Sequence, residues 1–314
     1  MASPDLKYTM IFLCQMLIGI LGNLSLLCYH MSLYLSGYRS KSTDLILSHL
    51  SLTNSLAILS RGVPGTMAAL GWTHFLSDFG CKLVIYVQRL AKGMTMGNTL
   101  LLSIFQAITL SPMNPRWAEL KAKAAKYIGP SNMFCWILNI LLHIRVAQHI
   151  TDKCNNESLS KIVDLGYCIF ELYAKDADLL YLIFISIHDI LCLGLMAWAS
   201  GTMVSILCRH KQRVQHIHGT KVSPRSSAEI RAIQSILVLV TTFVSFYTVS
   251  LFIHMYFVLF HKTTWWLINI STLINACFPT ASPFVLLSCD QRVSRFFLVY
   301  AGKLKQLPHP FKIA

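Results

Sequence analysis

Charge is what this chain has least of. Only 13% of its 314 residues are Asp, Glu, Lys or Arg, about half the share of an ordinary soluble domain. Acidic residues are scarcer still, 13 against 27 basic ones. With 54% hydrophobic residues and a mean hydropathy of +0.55, the composition excludes a soluble globular domain and describes a polytopic membrane protein. The net charge of +14 does not point to nucleic acid, because the cations fall in short runs between apolar spans, where they set topology. None of the ten cysteines forms a Cys-x-x-Cys pair, so zinc and redox sites are not indicated, and no metal or cofactor is expected. No soluble domain, internal repeat or low-complexity tract interrupts the chain.

What is present is a series of apolar runs: about 10–29, 44–62, 81–110, 129–147, 179–208, 231–260 and 264–288. The first lacks the small-x-small exit of a cleavable signal and reads as a span. Cations divide unequally between the two ends. One side receives Arg39 and Lys41, the run from Arg116 to Lys126, the run from Arg209 to Arg231 and the C-terminal cations, about seventeen in all. The other receives about eight, including Lys7, Lys153, Lys161, Lys175 and Lys262, with Arg61, Lys82 and Arg145 at span ends. The expectation is one all-α bundle of seven transmembrane helices, N-terminus outside and C-terminus inside, with residues 303–314 as a short inner tail. That is the topology of a G-protein-coupled receptor.

The third span, Cys81 to Leu110, organises the rest. It carries Arg89 and Lys92 well inside the bilayer, Arg89 about 12 Å below Cys81 and too deep for easy snorkelling. A lipid-facing cation costs roughly 3 kcal/mol or more, so both should face other helices or a wet cavity. Gly93 and Gly97 form a small-xxx-small face for a close neighbour. In the first span the Asn23 amide should bond to the second near Asn54. Pro279 and Pro283 should kink the seventh, with Ser282 helping to satisfy a freed carbonyl. Asp189 is the one carboxylate placed deep in a span; His188 beside it is read onto a different face. Arg89, Lys92, His188 and Asp189 are candidate pocket residues, with Tyr247, His254 and Trp266 as candidate walls. Asp189 is expected to pair with Arg89, or alternatively with Lys92, at a similar depth.

The segment between the fourth and fifth spans holds Asn156-Glu157-Ser158, a glycosylation acceptor once placed outside. It also holds Cys168, which can pair with Cys81 at the head of the third span; Cys154 is a competitor, and spacing does not decide between them.

Several motifs resemble one family. Phe105-Gln106-Ala107-Ile108-Thr109-Leu110-Ser111-Pro112 and Arg116-Trp117-Ala118-Glu119-Leu120-Lys121 are similar to the third-helix exit and second inner loop of vomeronasal type 1 receptors. Lys126-Tyr127-Ile128-Gly129-Pro130-Ser131-Asn132, Asp164-Leu165-Gly166-Tyr167-Cys168 and His210-Lys211-Gln212-Arg213-Val214-Gln215-His216-Ile217-His218 also resemble that family. So do Val222-Ser223-Pro224-Arg225-Ser226-Ser227 and Phe278-Pro279-Thr280-Ala281-Ser282-Pro283-Phe284-Val285-Leu286. The resemblance spans about Met10 to Gly302. It implies a plasma-membrane receptor for a small pheromone or odorant, signalling through an inhibitory-type heterotrimeric G protein. Ile104 to Gln106 replace the Asp-Arg-Tyr of the wider rhodopsin-like group, and Ser282-Pro283 stands where Asn-Pro is usual.

The mechanism this suggests is a ligand among helices three, five, six and seven that parts the inner ends of five and six. Arg209, His210, Lys211 and Arg213 would face the G protein and lipid headgroups. A transporter should show inverted repeats, and an intramembrane enzyme paired carboxylates or a serine–histidine pair; neither pattern is visible. A bitter-taste-type receptor is the nearest rival, disfavoured by the seventh-helix and third-loop motifs. The cation asymmetry makes one prediction directly. An epitope tag at residue 1 stains intact cells, and one after Ala314 stains only after permeabilisation; the reverse pattern would overturn the orientation.

Overall fold

The computed structural model describes residues 6–36, 42–72, 75–111, 115–149, 161–165, 167–172, 176–217, 224–260 and 265–289. Seven helices are formed: α1 Leu6–Leu35, α2 Ser42–Ala69, α3 Asp78–Leu110, α4 Pro115–His149, α5 Asp176–Ile217, α6 Pro224–Phe260 and α7 Trp265–Cys289. Five of them (α1, α3, α5, α6 and α7) contain stretches long and apolar enough to cross a membrane. In α2 the shortfall comes from its Ser, Thr, Asn and His residues, several of which are buried against other helices. In α4 the apolar part is interrupted by Asn132, Asn139 and His143, all buried.

The basic first third of α4 is helical, although it reads in sequence as a loop. Ala-Glu-Leu-Lys-Ala-Lys-Ala-Ala-Lys is made of strong helix formers, and Glu119 pairs with Lys123 one turn on at 2.6 Å. Lys121 Nζ donates to the Ser111 carbonyl at the end of α3 (2.8 Å), placing a cation on the negative end of that helix. The helices α5 and α6 likewise run past their apolar spans into the basic segments.

A hairpin stands where the sequence reads as plain loop. β1 (Lys161–Asp164) pairs antiparallel with β2 (Ile169–Leu172), Lys161 opposite Leu172 and Asp164 opposite Ile169. Its turn is tight: the Leu165 N–H donates to the Cys168 carbonyl at 2.9 Å. Cys168 is bonded to Cys81 with Cα atoms 5.9 Å apart, so the structure chooses this pairing. Cys154 lies outside the described residues, as does Asn156.

Helix α3 is the hub, packing against α2, α4, α5 and α6. At its head Ser77 caps the first turn, its hydroxyl accepting from the Gly80 N–H at 3.3 Å. Helix α2 ends at Ala69 and turns at Gly71, whose φ of 91° lets the Trp72 N–H reach back to the Met67 carbonyl (3.1 Å), a turn that a side chain would strain. Below, Met96, Leu102, Met196, Leu239, Val240, Phe243 and Phe278 form the buried core shared by α3, α5, α6 and α7.

Polar side chains knit α1, α2, α3 and α7 at mid-height. Because Pro283 has no N–H, the Pro279 carbonyl lacks its intrahelical partner. Asn23 Nδ2 fills that role at 2.8 Å, and Ser282 Oγ adds a weaker bond at 3.3 Å. Asn23 therefore bonds to α7 and not to Asn54 as expected, because a free carbonyl in lipid attracts the nearest donor. Asn54 Nδ2 instead donates to Ser282 Oγ (2.8 Å), while its Oδ1 accepts from Thr95 Oγ1 (3.2 Å).

The neighbour admitted by the glycine face of α3 is α4. A Cβ at Gly93 would collide with Asn139 Oδ1 and His143 Nε2, and one at Gly97 with Cys135 Sγ. Gly194 and Gly201 on α5, by contrast, have no atom within 4 Å of an added Cβ. Overpacking of this kind costs ~1–3 kcal/mol. Gly93→Leu and Gly97→Leu should each cut cell-surface expression severalfold, while Gly194→Leu and Gly201→Leu leave it near the parent level. Equal effects at all four positions would mean that α3 and α4 are not in close contact.

Candidate functional site

Above the mid-height polar knot, between α2, α3, α6 and α7, lies a cavity of about 70 Å³. Each wall is one helical stripe. Ala57 and Arg61 come from α2, and Gln88, Lys92 and Thr95 from α3. Phe243, Phe246, Tyr247 and Ser250 come from α6, and Ile274, Asn275, Ala276, Phe278 and Pro279 from α7. The spacings of three, four and seven place each of the first three sets on one face. Thr95 forms part of the floor and also bonds Asn54, so the cavity rests on the mid-height polar network.

The walls are mostly aromatic and aliphatic, the charged groups among them both positive. Arg61 and Lys92 line the cavity, and no carboxylate does among the described residues. Arg89 is close enough for its charge to act on both. Lys92 Nζ sits 4.6 Å from the centroid of the Tyr247 ring, a cation–π contact. At the upper rim Ser250 Oγ donates to Asn275 Oδ1 (2.5 Å), joining α6 to α7.

Of the residues singled out in the sequence, Lys92 and Tyr247 line the cavity. Asp189 lies beside it, reached through Tyr247, whose hydroxyl donates to Asp189 Oδ2 at 2.6 Å. His188 Nδ1 is 3.4 Å from Asp189 Oδ1, and its Nε2 is 3.7 Å from Cys192 Sγ. His188 thus folds toward its neighbour, contrary to the reading of two separate faces. The expected ion pair of Asp189 with Arg89 or Lys92 is absent: among the described residues neither cation has a carboxylate within 4.0 Å. A tyrosine hydroxyl and the neighbouring imidazole are the carboxylate's partners in place of either cation. No residue of α5 lines the cavity among those described; α2 takes the place expected for it.

Trp266 is 54% exposed and lies apart from the cavity. The side chains of His254, His210, Lys211 and Arg213 lie outside the described residues, and Arg209 is exposed on α5. Sequence reasoning misses Arg61 and Gln88. Arg61 reads as a topology cation at a span end, yet it stands seven residues after Asn54 on the face that carries Ala57. Gln88 is one turn before Lys92, on the same stripe, but an amide gives no charge signal.

The hairpin turn reaches into the bundle just above this cavity. Tyr167 is buried, and its hydroxyl accepts from Gln88 Nε2 at 3.1 Å. Burial pushes its phenol above its ordinary value, against the pull of Arg61 and of the bond from Gln88, so it is neutral at physiological pH.

Comparison with known proteins agrees with this architecture. The sequence profile of the vomeronasal organ pheromone receptor family matches residues 6–299. The chain is 49% identical to human vomeronasal type-1 receptor 3 over 309 residues, covering 98% of this chain and 99% of that protein. It is 47% identical to human vomeronasal type-1 receptor 2 over 300 residues, covering 96% and 76% respectively. Olfactory receptor class A-like protein 1 of Danio rerio is 29% identical over 283 residues, covering 90% and 89%. A bundle of seven helices with a hub tethered by Cys81, carried on a sequence matched from end to end, makes this multi-pass membrane protein a member of the vomeronasal organ pheromone receptor family.

Proposed function

We propose that the chain is a plasma-membrane chemosensory receptor, not an enzyme, whose cavity takes a small organic molecule with an apolar body and one anionic group. The observation that carries this reading is the pair Arg61 and Lys92 on an otherwise apolar wall with no lining carboxylate among the described residues. An anion there is matched by two cations in a low-dielectric site, while the aromatic side chains of α6 and α7 cover its apolar part. The bland use of such cations, internal ion pairing, is not made among the described residues.

The cavity also supports a signalling route. Tyr247 belongs to α6 and Asp189 to α5, so their 2.6 Å bond clasps these two helices beside the ligand space. A ligand that draws Lys92 away from the Tyr247 ring changes the setting of that clasp. Its release lets α5 and α6 separate at the end opposite the disulfide, where their basic extensions would meet an inhibitory-type heterotrimeric G protein. The N-terminus is outside in this reading and the C-terminus inside.

Two measurements check it. In cells expressing an inhibitory-type G protein, small carboxylates and sulfonates should activate the receptor where their neutral isosteres do not. Arg61→Ala and Lys92→Ala should each weaken an anionic agonist about tenfold or more, roughly 1.4 kcal/mol. Neutral isosteres of equal potency on the parent receptor would overturn the anion reading. For the clasp, Tyr247→Phe and Asp189→Ala should each raise basal signalling severalfold at matched surface expression. The double variant should equal the larger single effect, since both remove one bond; effects that multiply would mean the two residues act separately.

A further inference from the structure

Tyr167 has no part in the scheme above, yet it is the side chain of the hairpin turn that enters the bundle. The turn is fixed on both sides. Cys168 is tied to Cys81, and Leu165 N–H is bonded to the Cys168 carbonyl. Around it Ala68, Cys81, Tyr167 and Cys168 form a small buried cluster, with Phe75, Leu76, Val84 and Leu165 packed against them. From this anchor the Tyr167 side chain descends to Gln88, which lies seven residues, about 10 Å, below Cys81 along α3.

Gln88 is used twice. Its Nε2 donates to the Tyr167 hydroxyl (3.1 Å) and to the Ser60 carbonyl on α2 (2.8 Å), and its side chain lines the cavity. The residue after Ser60 is Arg61, which lines the cavity too and whose charge acts on the Tyr167 phenol. Gln88 and Arg61 are the cavity residues nearest the hairpin end on α3 and α2. Tyr167 and the Ser60 carbonyl thus both hold Gln88, the lining residue of α3 at that end of the cavity. The space beneath is about 70 Å³, well short of the ~300–1,000 Å³ of pockets that hold whole small molecules. The space must therefore widen before it holds a whole ligand.

We propose that Tyr167 is the entry gate of the cavity: a solute reaches Arg61 and Lys92 from the hairpin end when the phenol leaves Gln88. The disulfide keeps the backbone of the turn in place, so the moving part is the aromatic side chain and the amide it releases. The residue thereby sets access and residence time, separately from the cations that set ligand charge. The inference rests on the reading of the cavity as the ligand site, but it is tested without a ligand.

The test places a thiol inside the cavity with Ala57→Cys in the full-length chain on intact cells. The probe is the membrane-impermeant anion 2-sulfonatoethyl methanethiosulfonate, with the chain lacking that substitution as the background for native cysteines. Labelling of the introduced thiol should be slow with Tyr167 present, several-fold faster with Tyr167→Phe, which loses only the hydroxyl, and at least tenfold faster with Tyr167→Ala. Rates are compared at equal surface antibody signal, and Tyr167→Phe carries the test if Tyr167→Ala is poorly delivered. Rates unchanged by either substitution, or no labelling in any variant, would overturn the gate. Failure of the anion reading has a different signature: agonist potency indifferent to Arg61→Ala and Lys92→Ala while labelling still responds to Tyr167.

Discussion

The middle of a bilayer holds no water, so every charge and free carbonyl placed there must be met by the protein itself. Much of this fold follows from that. Arg89 and Lys92 on one helix oblige α3 to turn inward, and α3 is accordingly the helix that touches α2, α4, α5 and α6. Pro283 leaves the Pro279 carbonyl open, and Asn23 crosses from α1 to fill it. Asn54 then binds Ser282, and Thr95 binds Asn54, so one missing N–H organises a polar chain through four helices up to the cavity floor. Hydroxyls on the outer faces, such as Thr241 and Ser245 on α6, meet the same demand by donating to the carbonyl one turn earlier.

The parts of this that can be read from the sequence are those where the constraint acts on a single residue. Hydropathy locates seven helices, cysteines at two places suggest the tether, and depth alone makes Lys92 and Asp189 conspicuous. Where a group has several possible partners, one chain cannot rank them. Asn23 has Asn54 as an obvious mate on polarity, and takes the Pro279 carbonyl because a proline four residues on has freed it. Asp189 has two cations at the right height, and takes a tyrosine hydroxyl from α6 and the histidine beside it instead. Gln88 and Arg61 are passed over for opposite reasons, one uncharged and the other credited to topology. The hairpin has too few residues to raise a strand signal above its loop.

The cavity's position between α2, α3, α6 and α7 separates two tasks. Its cations belong to α2 and α3, which the disulfide end and the polar knot hold firmly. Its aromatic wall belongs largely to α6, which is joined to α5 beside the cavity by the side-chain bond from Tyr247 to Asp189. In the proposed reading, recognition of charge and transmission of motion fall on different helices, with Lys92 resting on Tyr247 as their point of contact.

The bond from Lys121 to the Ser111 carbonyl gives the opposite end of the molecule a mechanical asymmetry. Helix α4 begins at Pro115, well before its apolar part, and Lys121 fastens that basic extension to the last turn of α3. The two helices are also pressed together higher up, where Gly93 and Gly97 admit Asn139 and Cys135. They consequently act as one fixed jaw. On the other side α5 and α6 are joined beside the cavity by the bond from Tyr247 to Asp189. A push on this end of α3 is therefore shared with α4 at two levels, the Lys121 bond and the glycine face.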